Sequence, residues 1–339
     1  MKEYFQEEVL RICKKIMDLN TDDCFSFSLL ADMHMNPTKE EEIQKFERTI
    51  GNMKAVHNRC DIDAIFSLGD LAYVSSSFKG DYWTEEVVFN EQEKLRKKLL
   101  ACNPHTYFVA GNHDGIGARP ARPKTWYEQM VSFHGADVRG VKDQGYFYVD
   151  FPKYKVRAIC LMDTFREHDQ EIAFYGYAPD QLTWLCREAL SIPDGYHVII
   201  FSHITLHSEA RLKTQINSQE LIEILKAFQE KGTYQGDHVF ADFSARNAGN
   251  IVAMFGGHDH VQWTGYQWGL PFRMIETPCN FIHMPHKEEG WTLPEGFVAA
   301  ERQMHTLSED LWDTVVYDGK KNLMHIIRFG SGEDVTYDL

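Results

Sequence analysis

The sequence predicts an α/β protein, and three observations carry that prediction. Short runs rich in β-branched and aromatic residues recur along the chain. Stretches of helical spacing alternate with them. The last part of the chain departs from this alternation and carries two strand-like runs around Asp318-Gly319, a strong hairpin signal.

The elements follow in order. Residues 3–20 put Phe5, Val9, Ile12, Cys13, Ile16 and Met17 at helical spacing, which predicts an N-terminal amphipathic helix (1–21) packed on the body. FSFSLL (25–30) reads as the first strand, and 39–58 as a charged helix whose acidic run is a solvated face. AIFSL (64–68), a helix at 84–101, TYFVA (106–110) and a helix at 124–133 come next. VRAICLM (156–162) precedes a helix at 179–191 with Leu182, Leu185 and Leu190 at packing positions. HVIIFS (197–202), a helix at 217–231 and IVAMF (251–255) complete the alternation, and 312–329 forms the hairpin. Repeats, low-complexity segments and Pro/Gly-rich linkers are absent, so residues 22–339 read as a single domain.

Composition narrows the function. Of the 339 residues, 43% are hydrophobic and 25% charged, which excludes a disordered chain. Lys+Arg number 35 against 50 Asp+Glu, a net charge of −15. A nucleic-acid grip needs a basic footprint, so none is expected. Seven scattered cysteines without a CxxC pair read as reduced thiols. The first twenty residues lack the uninterrupted apolar region of a signal peptide, and no apolar run reaches the roughly 20 residues of a membrane span. A cytoplasmic protein without a membrane partner is expected; the oligomeric state is not legible.

The informative pattern lies behind five of the strands. FSFSLLA is followed by Asp32-Met33-His34, AIFSL by Gly69-Asp70, and TYFVA by Gly111-Asn112-His113-Asp114. HVIIFS is followed by His203, and IVAMF by Gly256-Gly257-His258-Asp259-His260. In open α/β sheets, sites assemble at the carboxyl ends of strands. Carboxylate, imidazole and amide oxygen suit Mn, Fe, Zn, Ni or Co, and no thiolate occurs in the set. Asp32, His34, Asp70, Asn112, His203, His258 and His260 are too many donors for one ion. Two ions sharing a carboxylate use them well, at the ~3.5–4 Å separation of two-metal hydrolytic sites.

These motifs, spread over residues 32–260, fill every position of D-x-H, G-D, G-N-H-[DE], a lone strand-end His and G-H-x-H. In this the chain resembles the calcineurin-like metallophosphoesterase superfamily. The resemblance implies the metallo-dependent phosphatase fold, a four-layer sandwich of two mixed sheets flanked by helices. It implies one metal held by Asp32, His34, Asp70 and His260, and a second held by Asp70, Asn112, His203 and His258, with Asp70 bridging. His113 would face the substrate, and Asp114 would orient its ring. The implied activity is hydrolysis of small-molecule phosphate esters, mono- or diesters and nucleotides among them, by metal-activated hydroxide. Two divalent ions would also place positive charge in an acidic chain, which suits a phosphate substrate. The other reading is a non-catalytic metal-binding scaffold on the same fold; such members usually lose ligands, and here all positions are filled.

Further residues have weaker claims. GDLAY (69–73) also matches the G-D-x-x-Y of purple acid phosphatases, but those usually lack the His of D-x-H, so Tyr73 reads as a packing or pocket residue. Arg119, with Arg122 and Lys124, lies in the loop after GNHD (115–126) and reads first as the ordinary basic content of a solvated loop, with reach to a substrate phosphate as the other reading. His207 lies four residues past His203 and would line the site or, more commonly, sit on the surface. Asp259 orients a neighbouring histidine or faces solvent as a turn carboxylate.

Overall fold

A computed structural model describes residues 2–72, 85–114, 138–141, 144–164, 175–246, 249–282, 293 and 296–339. The helix expected at 124–133 lies outside these residues. In chain order, α1 (Glu3–Leu19) precedes β1 (Cys24–Leu30), α2 (Glu40–His57), β2 (Ala64–Ser67), α3 (Glu85–Leu100) and β3 (Thr106–Phe108). There follow β4 (Arg139–Val141), β5 (Tyr146–Phe151), β6 (Val156–Cys160), β7 (Tyr175–Gly176) and α4 (Pro179–Trp184), which runs on into a π turn at Leu185–Ala189. Next come β8 (His197–Phe201), α5 (Glu209–Thr214), β9 (Gln215–Ile216), α6 (Ser218–Gln229), β10 (Thr233–Gln235), β11 (Phe240–Asp242) and β12 (Ile251–Gly256). The last strands are β13 (Trp263–Gly265), β14 (Arg273–Glu276), β15 (Leu311–Asp318), β16 (Leu323–Gly330) and β17 (Val335–Asp338). Two large mixed sheets with helices make this the α/β class that the sequence predicts.

The chain divides into two compact units. The first comprises Met1–Gly117, Gly257–Trp263 and Glu276–Leu339. Its six-stranded sheet has the order β17-β16-β15-β1-β2-β3. β1, β2 and β3 run parallel, and β15 joins β1 antiparallel. Every residue of β1 and of β15 is buried, the pattern of strands covered on both faces. The serines of β1 survive burial because their hydroxyls are bonded: Ser26 Oγ donates to Asp63 Oδ2 at 3.0 Å, and Ser28 Oγ lies 3.0 Å from His57 Nε2.

Helix α1 buries Phe5, Val9, Ile12, Cys13 and Ile16, whereas Met17, placed on the same face by its spacing, is 61% exposed near the end of the helix. It is tied to β16 through polar contacts: the Gly330 amide donates to Glu8 Oε1 at 3.2 Å, and Arg11 donates to the Arg328 carbonyl. The hairpin at the end is also present, with cross-strand partners Trp312 and Phe329 stacked at 4.9 Å between centroids. Its turn is longer than Asp318-Gly319 alone. Asp318 still pairs with Leu323, and its Oδ1 accepts the amides of Lys320 and Lys321 at 3.1 and 3.0 Å.

The second unit, Ala118–Gly256 and Thr264–Ile275, is built on a seven-stranded sheet of order β13-β14-β12-β8-β6-β5-β4. β6, β8 and β12 are parallel, and β5 and β4 add antiparallel strands at one edge. α6 turns Leu221, Ile222, Ile224, Leu225 and Phe228 inward. All seven cysteines carry free thiols, six of them buried. Among the described residues, no helix is long and apolar enough to cross a membrane.

Candidate metal centre

Because β1, β2 and β3 are parallel neighbours, their carboxyl ends lie side by side. The backbone pairing continues past the strands: the Asp32 amide donates to the Gly69 carbonyl at 3.1 Å, and the His34 amide to the Asp70 carbonyl at 2.9 Å. The two turns are thereby locked together with their side chains on one edge. Asp32, His34, Asp70, His258 and His260 all have left-handed backbone, with φ of 50°, 44°, 53°, 75° and 60°. Such conformations are uncommon outside glycine and cost on the order of 1 kcal/mol each. Five in one cluster mark a backbone bent to aim side chains.

The first unit brings the expected residues together. The donor atoms of Asp32, His34 and His260 all lie within 4.8 Å of one another. His34 Nε2 faces His260 Nε2 at 3.0 Å, and Asp32 Oδ1 lies 3.6 Å from the latter. His34 Nε2 is also 3.6 Å from Asp70 Oδ2. Beside this group, the donors of Asp70 and His258 lie within 4.8 Å of each other, and His258 Nδ1 is 2.8 Å from Asn112 Oδ1.

Two observations test whether these residues fit metal ions. The first is donor chemistry: Asp32 and Asp70 are essentially inaccessible carboxylates, and burial pushes His34 down to about 3 against the opposing pull of Asp70. A neutral imidazole is the state that binds a metal. The second is space. A Cβ on Gly111 would stand 2.1 Å from Asp70 Oδ1, and one on Gly257 2.4 Å from Asp32 Oδ2, so only glycine lets the backbone pass so close to the carboxylates. Buried carboxylates beside converging ring nitrogens, with no thiolate, fit borderline divalent ions.

The Asp114 carboxylate is taken up by backbone amides and by Gln92. Its Oδ2 accepts the amides of Asp70 and Gly111, each at 2.8 Å, and its Oδ1 accepts the Leu71 amide at 3.0 Å and Gln92 Nε2 at 3.2 Å. What the carboxylate orients is the backbone of the Asp70 and Asn112 turns. Burial, then the nearby Asp70, pushes the Asp114 carboxyl up, while the buried Arg96 guanidinium and the amides oppose this. Arg96 reaches it through Gln92, whose Oε1 accepts from Arg96 Nη2 at 3.0 Å. His113 is half-buried, edge-on to His34 at 4.9 Å, and its amide donates to Asp70 Oδ1 at 2.7 Å.

The sequence gives no signal for several supporting residues. Gln92 and Arg96 lie on α3 without a motif. The Lys45 amine on α2 donates to the Asn280 carbonyl at 2.7 Å and also to its Oδ1. Asn280 and Phe281 in turn donate their amides to the carbonyls of Ala31 and Asp32, each at 2.9 Å, and so brace the D-x-H turn.

In the second unit, His203 follows β8 and is fully buried. Asp163, at the end of β6, holds this turn: its Oδ2 accepts the Ile204 amide at 2.5 Å and the Ser202 hydroxyl. His207 is not a surface residue. It is only 6% exposed, with Nδ1 2.9 Å from Thr205 Oγ1. Asp259 is half-buried. Tyr73 and Arg119 lie outside the described residues.

Comparison with known proteins agrees with this architecture. Residues 25–262 match the profile of the calcineurin-like phosphoesterases, and the chain belongs to that family. It is thus a metal-dependent phosphoesterase. No curated protein matches the chain. Among solved structures, it is similar to the phosphopantetheinyl hydrolase of Mycobacterium tuberculosis, at 11% identity and a TM-score of 0.36, over 82% of this chain and 96% of that one. It is also similar to GAP50, the anchor in the inner membrane complex of Plasmodium, at 12% identity and a TM-score of 0.46, over 93% of this chain and 88% of that one.

Proposed function

We propose that this protein hydrolyses small-molecule phosphate esters at a two-metal centre. The observation that carries the reading is the convergence of Asp32, His34 and His260 within 4.8 Å, with Asp70 and His258 beside them. On this reading Asp32, His34, Asp70 and His260 hold one ion. Asp70, Asn112 and His258 belong to the other, to which the family pattern adds His203. When bound, the ions supply Lewis-acid neutralisation of phosphoryl charge and lower the pKa of an attacking water. The chain's own residues do the rest. Asp114 fixes the turns that present Asp70 and Asn112. His113 faces the ester, stabilises charge on the phosphoryl group or protonates the departing oxygen. The net charge of −15 argues against a nucleic-acid substrate and favours a small one.

The test is an activity screen of metal-reconstituted protein over phosphomonoesters, linear diesters and cyclic nucleotides, with Asp70→Asn as the blank. Turnover of at least one class, absent in the blank, is expected. A metal-loaded protein inert towards every ester would instead favour the scaffold reading.

A further inference from the structure

A cavity of about 210 Å³ opens in the first unit, lined by Met33, Met35, Phe46, Phe281, Ile282 and Met304. Glu41, Glu42 and Lys45 also line it, but each is engaged. Glu42 takes Lys39 Nζ and the Asn36 amide, both at 3.0 Å; Glu41 meets His305 Nε2 at 3.2 Å; and Lys45 is held by Asn280. What the cavity presents is mainly thioether, phenyl and aliphatic surface, with these three bonded polar groups as the minor part of its lining. Methionine is unbranched and polarisable, and it adapts to irregular apolar shapes and to ring edges.

The cavity shares a wall with the candidate centre. The Phe281 ring stands edge-on to His34 at 5.3 Å and to His260 at 6.3 Å. Its amide is bonded to the Asp32 carbonyl, and Met33 sits in the chain between Asp32 and His34. One ring and one stretch of backbone thus separate the donor nitrogens from an apolar hollow. An apolar cavity of about 150 Å³ accepts benzene, so this one has room for a ring with several further carbons, or for an alkyl chain of similar bulk.

We propose that this cavity is a specificity subsite that receives the apolar alkyl or aryl group of the phosphate ester. The substrate class is then phosphate esters of apolar alcohols, in preference to sugar phosphates. This rests on the phosphoesterase reading, and the experiment separates the two. Its first arm uses manganese-reconstituted protein and alkyl phosphates from propyl to octyl, whose leaving groups differ in bulk but hardly in basicity. kcat/KM is expected to rise about two- to fourfold per methylene until the cavity is full. In Met304→Trp, which fills the cavity, the ratio of hexyl to propyl phosphate within that variant falls towards one. In Met304→Ala, which enlarges it, the rise extends to longer chains. Active protein with no dependence on chain length overturns the subsite.

The second arm needs no turnover. Carbon-13 methyl-labelled methionine spectra are recorded during titration with 1-hexanol, with resonances assigned from Met→Leu variants. Shifts confined to Met33, Met35 and Met304 are expected, and their absence overturns the proposal. Shifts in a protein that cleaves no ester support an apolar ligand site while the phosphoesterase reading fails. Hydrolysis without shifts does the reverse.

Discussion

His34 Nε2 and His260 Nε2, from residues 226 positions apart, face each other across 3.0 Å. Two ring nitrogens aimed at one point can share a proton or a metal ion, and the buried Asp32 and Asp70 beside them favour the ion. Chelation should therefore destabilise the fold. For a ligand at a hundred times its Kd, the linkage amounts to about 2.7 kcal/mol, roughly 4 °C for a protein of this size. Thermal melts with and without chelator, beside elemental analysis, check this; an unchanged melt of metal-free protein would count against a metal here. His260→Ala should lower bound metal by one ion per chain.

His113→Ala should separate catalysis from metal binding. The contact of this residue to Asp70 runs through its backbone amide, which alanine keeps. Metal content is expected to hold while kcat falls about a hundredfold or more. Full activity would remove His113 from the mechanism, and loss of metal would reassign it as a ligand.

Asp114→Asn is expected to be far from conservative. Both carboxylate oxygens accept N–H groups, so an amide NH₂ must confront a donor in a buried place. A loss of about 1–3 kcal/mol in denaturant unfolding is expected, together with weaker metal binding. A neutral outcome would mean that the turns hold themselves.

Asp163→Ala probes the second unit in the same way. It removes the acceptor of the Ile204 amide and of the Ser202 hydroxyl, on either side of His203. A loss of about 1–3 kcal/mol is expected. If stability is unchanged, the turn after β8 does not depend on this carboxylate.

Acid sensitivity should come partly from His57, far from the metal ligands in sequence. Its Nε2 faces Ser28 Oγ, and burial pushes the ring down to about 4 from 6.5. The unfolded chain takes up this proton first as pH falls. The stabilisation is therefore full above about 6.5 and is lost as pH drops towards 4. The ring is only half-buried, so the loss by pH 5 should be roughly 1–2 kcal/mol. Urea unfolding at pH 7.5 and 5 should show it in the wild type and not in His57→Gln. Equal slopes in the two proteins would assign the acid sensitivity elsewhere.

The sequence made the centre legible because its parts are local: a strand, then a short motif at its end. DMH, GD, GNHD and GHDH each carry their own chemistry, and parallel pairing of β1, β2 and β3 follows from the alternation with helices. What stayed hidden depends on distance in the chain. Lys45 meets Asn280 across 235 positions, and Gln92 meets Asp114 across 22. No periodicity marks either pair. Short strands such as β4 (RGV) and β14 (RMIE) were illegible for another reason: three or four residues of mixed polarity hold too little pattern. The helix expected at 179–191 is instead one α-helical turn and a half followed by a π turn, a hydrogen-bond shift that leucine spacing does not encode.

The first unit is assembled from three stretches of chain, with Gly257–Trp263 returning to it after 139 residues of the other. That detour bears on how the gene can be cut. A product ending between residues 113 and 257 retains Asp32, His34, Asp70 and Asn112 but carries neither His258 nor His260. Such a fragment would keep both carboxylates and His34 but lose the two imidazoles that close the centre. Products truncated there should therefore be null for metal rather than partly active, and the unit cannot be expressed as one uninterrupted segment.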